Sequence, residues 1–154
     1  MDTIFNEASS HQTVNSLKSE LRRFYLHCIK WCSQQDRRSS SWANSIFDAA
    51  VAIYIGGENR LYSKITNDEI IKIYNLAKKD ATKETGLDSR QLINLIDNEP
   101  NFDDLKTISN RDYIYQLLVK YCNNSDRRCN IWLEYINNGY QKYKSNLESK
   151  GYTI

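Results

Sequence analysis

Apolar residues recur at spacings of three and four along most of the chain, and Pro and Gly are too scarce to interrupt them often, so the pattern predicts an all-α protein. The stripe Leu17, Leu21, Phe24, Cys28 and Trp31 predicts a helix from about 13 to 35. A second helix runs from about 40 to 55, where Ile53-Tyr54-Ile55 meets the stop signal Gly56-Gly57. A third covers about 67 to 85. It opens on a capping box, Thr66-Asn67-Asp68-Glu69, with Ile65 and Ile70 placed as a hydrophobic staple, and Gly86 follows its end. Asp88-Ser89-Arg90-Gln91 repeats the box with Leu87 and Leu92, predicting a short helix at about 89 to 98 that Pro100 closes. Ser109-Asn110-Arg111-Asp112, stapled by Ile108 and Tyr113, opens a last helical stretch. Its phase holds through Ile114, Leu118, Tyr121, Cys129, Trp132, Ile136, Tyr143 and Leu147 to about 149. The weak helix formers Asn123-Asn124-Ser125 mark where that stretch can break. The expectation is one all-α domain over 1–154, a helical bundle of five or six helices.

An internal repeat refines this picture. At a constant offset of 90 residues, Tyr25 meets Tyr115, Ile29-Lys30-Trp31-Cys32 meets Val119-Lys120-Tyr121-Cys122, and Asp36-Arg37-Arg38 meets Asp126-Arg127-Arg128. Trp42 then meets Trp132, and Ile46 meets Ile136. The pattern implies an internal duplication, two related helix pairs at about 19–50 and 109–140 joined by connector helices at about 67–98. The aromatic, Cys and Trp positions read as packing residues. The Arg pairs differ, because guanidinium groups add planar donors suited to carboxylates, helix C-terminal carbonyls or phosphates. Asp36 and Asp126 fit helix-capping roles at the junctions, and Arg37, Arg38, Arg127 and Arg128 form an alternative anion-binding set.

Composition narrows the function classes. The 154 residues carry 21 Lys plus Arg against 19 Asp plus Glu, so net charge selects no partner. No apolar run nears the ~18 residues of a membrane span, and the first residues lack a signal-peptide pattern, which points to the cytoplasm. Reduced thiols are expected there. The four Cys pair only as Cys28/Cys32 and Cys122/Cys129, without a tight C-x2-C turn, so they read as small core hydrophobes and no metal or other cofactor is expected.

No phosphate-cradling Gly loop, H-E-x-x-H, G-x-S-x-G or acidic calcium loop is present. Arg22-x4-His27 resembles the Arg-x4-to-6-His motif of the HEPN superfamily of helical ribonucleases, and that resemblance implies Arg22 and His27 acting on a scissile phosphate. It spans six residues, Arg23 stands where the family has a small polar residue, and the repeat carries Asp112 and Leu117 instead. His27 otherwise reads as a partly buried packing residue, and no catalytic residue is assigned.

Two binding classes remain. Residues 17–38 hold Lys18, Arg22, Arg23, Lys30, Arg37 and Arg38 against Glu20 and Asp36, with Phe24, Tyr25 and Trp31 interleaved, the composition of an RNA- or DNA-tracking surface. Segment 97–112 is the opposite, with Asp97, Glu99, Asp103, Asp104 and Asp112 against Lys106 and Arg111. Eleven Tyr and three Trp exceed the needs of a small core, and Tyr62, Tyr140, Tyr143 and Tyr152 fall near expected surface or chain ends. The reading favoured is a non-catalytic protein-binding regulator of the immunity, antitoxin or inhibitor type. It would meet a basic toxin or nuclease through the acidic stretch and the Tyr140/Tyr143 face. Nucleic-acid binding through the Arg pairs is the alternative, and a HEPN-like ribonuclease the third.

Overall fold

The computed structural model describes residues 13–34, 37–92 and 129–152. These residues are all-helical and contain four α-helices: α1 (Val14–Ser33), α2 (Ser40–Glu58), α3 (Asn67–Thr85) and α4 (Cys129–Ser149). A 3-10 turn, Tyr62–Lys64, leads into α3. None of the helices among the described residues is long and apolar enough to cross a membrane.

The starts of α1, α2 and α3 are fixed by side-chain capping. Thr13 and Ser16 form a reciprocal box at α1, each hydroxyl accepting the other's backbone N–H at 3.0 Å. The Ser39 hydroxyl accepts the Trp42 N–H at α2. Thr66 and Glu69 make the expected box at α3, whose staple residues Ile65 and Ile70 are both fully buried, and Gly86 ends that helix with φ 75°. The end of α2 differs from expectation. The helix continues through Gly56 and Gly57 to Glu58, and the left-handed residue after it is Arg60, with φ 61°. The Leu61 N–H returns to the Gly56 carbonyl at 2.8 Å, and burial of the Leu61 side chain anchors the turn. Past α3 the second box also forms, Asp88 Oδ1 accepting from Arg90 and Gln91 N–H, yet residues 86–92 stay a turn. The remainder of the helix expected at 89–98, Ser109 and its cap, and the possible break at Asn123-Asn124-Ser125 all lie outside the described residues.

α2 is the central element, packed between α1 and α4, while α3 lies on α1. Side-chain pairings give the directions. Lys30 meets Trp42 and Arg23 meets Asp48, so α1 and α2 run antiparallel. Arg22 meets Asp80 and Lys30 meets Glu84, so α1 and α3 run the same way. Phe47 meets Tyr140 and Tyr143, and Tyr54 meets Tyr152, so α4 follows the direction of α2. The core is built from Leu17, Leu21, Phe24, Ile29 and Trp31 of α1, Ile46, Phe47 and Ile53 of α2, Ile70 and Ala77 of α3, and Trp132, Ile136 and Leu147 of α4.

Candidate functional site

The cations of α1 are spent on the fold. Lys18 is joined to Glu69, and Arg22 grips Asp80 with two parallel bonds, Nε to Oδ2 at 2.6 Å and Nη2 to Oδ1 at 2.8 Å. Lys30 reaches Glu84 at 3.2 Å, and Arg23 lies 3.3 Å from Glu20 and 3.7 Å from Asp48. Of the five ion pairs made by α1 cations, three end on α3, and they form a polar rail along the seam of two like-directed helices. The bond from Arg22 lowers the Asp80 carboxyl below its usual value, and the bond from Lys18 lowers Glu69 to about 2. The interleaved aromatics Phe24, Tyr25 and Trp31 are core, each 1% exposed or less. The composition of a phosphate-tracking strip thus belongs to an interhelical seam.

The Arg pair splits in two. Arg37 is exposed, whereas Arg38 is 7% exposed and turned inward. Its Nε donates to the Trp31 carbonyl oxygen at 2.7 Å, closing the C-terminal end of α1. Its guanidinium lies between two indoles, 5.1 Å from the Trp31 ring centre and 4.4 Å from that of Trp132. Arg38 therefore joins α1, the entry to α2, and α4, and its donors are held in the core away from any solvent anion. Lys30 covers Trp42 in the same manner at 4.6 Å. Asp36, Asp126, Arg127 and Arg128 lie outside the described residues.

The α4 face expected to meet a partner is also divided. Tyr143 is 1% exposed and packs on Phe47 with ring centres 6.0 Å apart. It belongs to the stripe Trp132, Ile136, Gly139, Tyr143 and Leu147 that faces the core, so its ring is removed from the partner-binding set. Tyr140 is half-buried, stacked 6.3 Å from Tyr143 and edge-on to Phe47, and keeps one side toward solvent. Tyr152 is half-buried against Tyr54. Asp97, Glu99, Asp103, Asp104 and Asp112 lie outside the described residues. A shallow groove between α2 and α4, with a volume of about 520 Å³, is lined by Asp48, Gln141, Lys142, Ser145, Asn146 and Ser149.

The Arg22/His27 pair is held in place. His27 Nδ1 makes a 2.9 Å hydrogen bond with the Arg23 carbonyl of the preceding turn, and burial lowers its pKa. Cys28 and Cys32 are buried free thiols, with Cys28 pushed well up by burial, the reverse of an activated thiolate. Among the described residues no group of three or more His, Cys, Asp or Glu side chains could hold a metal ion. One charged surface went unnoticed in the sequence, the exposed lysines Lys72, Lys79 and Lys83 of α3. Their spacing of seven and four was the available signal.

No curated protein and no solved structure matches this chain. The family model described as domain of unknown function DUF29 matches residues 6–114, which takes in α1, α2 and α3 and stops before α4, and the chain belongs to that family.

Proposed function

We propose that this chain is a non-catalytic protein-binding regulator of the cytoplasm, working without a cofactor, whose most concrete form is neutralisation of a basic toxin or nuclease. The observation that supports this reading best is the commitment of the reactive side chains to the fold. Arg22 is fastened to Asp80, His27 to its own helix, and Cys28 is sealed in the core. A ribonuclease centred on Arg22 and His27 would need both groups turned toward one phosphate, at the expense of these contacts. Partner contact is assigned to the acidic stretch Asp97, Glu99, Asp103, Asp104 and Asp112, with the open side of Tyr140 as an aromatic anchor.

The proposal includes the internal duplication and a total of five or six helices. α2 displaced by 90 residues would cover 130–148, and α4 occupies Cys129–Ser149. The buried positions Ile46, Ala49 and Ile53 return as Ile136, Gly139 and Tyr143, also buried. The copies have diverged in use, since Phe47 is buried and its counterpart Asn137 is exposed. That difference follows from α2 packing on two sides.

The test begins with the tagged full-length chain used to isolate a bound protein from its own host. Association of the two purified proteins is then timed at low and high salt, for wild type and for the chain carrying Asp103→Lys with Asp104→Lys. Slower association of the variant, with a difference that shrinks in high salt and no change in thermal stability, is the expected result. Retention of no protein, or equal rates at both salt concentrations, would overturn the reading.

A further inference from the structure

We infer that the outward face of α3 is a docking surface for the phosphate backbone of a nucleic-acid duplex, contacted by Lys72, Lys79 and Lys83. The inference is independent of the protein-binding reading, and uses different residues from the Arg pairs.

The face is defined by what lies opposite it. Ile70, Ile73, Tyr74, Ala77 and Ala81 of α3 are buried, and at 100° per residue Lys72, Lys79 and Lys83 fall on the reverse side of the helix, all three exposed. The eleven helical steps from Lys72 to Lys83 span about 16 Å at 1.5 Å per residue. Charge along this line stays positive for a structural reason. Of the acidic residues in α3, Glu69, Asp80 and Glu84 are drawn to Lys18, Arg22 and Lys30 of α1, which leaves only Asp68 on the exposed line, at its N-terminal end beside Lys72. None of the three lysines has a carboxylate within ion-pair distance among the described residues. Lys64, exposed in the turn before α3, adds a cation at that same end.

The chemistry of the face selects its occupant. Protein interfaces are depleted of Lys and enriched in aromatic residues and Arg, whereas nucleic-acid interfaces are strongly positive. Between the lysines lie Asn75 and the half-buried Leu76, with no exposed aromatic side chain on which an unpaired base could stack. A convex row of point charges without stacking groups suits the regular backbone of a duplex and reads no sequence.

The experiment is fluorescence-anisotropy titration of the full-length chain with a labelled 20-bp DNA duplex from about 50 to 200 mM salt. Three phosphate contacts give a log-log salt slope of about −2.7, at about −0.9 each. The triple variant Lys72→Gln, Lys79→Gln, Lys83→Gln should bind at least tenfold more weakly, with a slope near zero and an unchanged circular-dichroism spectrum. Lys142→Gln on α4 should leave both quantities at the wild-type value. No duplex binding at 50 mM salt, an unchanged slope in the triple variant, or tighter binding of polyglutamate than of the duplex would overturn the assignment. The last result would give the face to an acidic protein instead.

Discussion

The Arg38 guanidinium lies 4.4 Å from the ring centre of Trp132 while Arg38 Nε holds the Trp31 carbonyl at 2.7 Å, so one buried cation fastens the end of α1 to a helix that begins only at Cys129. Arg38→Ala removes a charge-assisted hydrogen bond and two cation–π contacts, an expected loss of about 2 to 4 kcal/mol in urea unfolding. Arg38→Lys should recover less than half of it, because an ammonium cannot lie flat between two rings and bond the carbonyl at once. The exposed neighbour gives the contrast, with Arg37→Ala expected within about 0.5 kcal/mol of wild type.

Gly139 sets how closely α4 approaches α2. A Cβ added there would sit 2.7 Å from Phe47 Cδ2, and Phe47 is wedged against Tyr140 and Tyr143. Gly139→Ala should therefore destabilise the chain by about 1 to 3 kcal/mol despite alanine's better helix propensity. Phe47→Leu in the Gly139→Ala background should cost less than Phe47→Leu alone, a coupling that a double-mutant cycle of unfolding free energies measures.

The repeated tryptophans should respond unequally. Trp132 is 1% exposed and Trp42 half-buried under Lys30. Trp132→Ala is expected to cost about 3 to 5 kcal/mol, and Trp42→Ala clearly less, in the same unfolding assay.

Acid should weaken the fold through the seam between α1 and α3. The bond from Lys18, and then those from Thr66, hold the Glu69 carboxyl at about 2, below its ordinary value of 4.5. A carboxyl whose pKa is lower when folded supplies stability above the unfolded value and loses it as pH falls toward the folded one. Asp80, lowered by Arg22, acts with the same sign. His27 does too, since burial disfavours its cation and its contribution is lost as pH drops below 6.5. Glu69→Gln keeps an acceptor for the Thr66 cap and removes the charge, so its urea midpoint should fall less steeply than that of wild type between pH 4.5 and 2.

The boundaries of α1 and α3 were legible because short-range chemistry decides them, through apolar stripes, the Thr66/Glu69 box and Gly86. The end of α2 was not, since a non-glycine residue, Arg60, takes the left-handed turn and the glycine pair stays helical. Charge was misplaced for a deeper reason. Lys18, Arg22 and Lys30 look like a solvent-facing basic strip until they meet acidic residues more than fifty positions away. Those same pairings commit Glu69, Asp80 and Glu84 of α3 to α1, with Asp80 still feeling the charge of Lys83. Tyr143 was placed outside for a similar cause, as the half of α4 that faces inward is fixed by α2.

α1, α2 and α3 are neighbours in sequence as well as in space, whereas α4 reaches α2 only after a long stretch of chain and, among the described residues, packs substantially on nothing else. α3 is also held on one side, but only α4 is joined to its partner helix through a long intervening stretch of chain, and a helix docked in that way is expected to be released first. In hydrogen exchange the amides of α4 should lose protection at a lower free energy than those of α2. Its departure would uncover the indole of Trp132 and the ring of Phe47 together, giving a partly open state in which the three helices within the family match stay assembled.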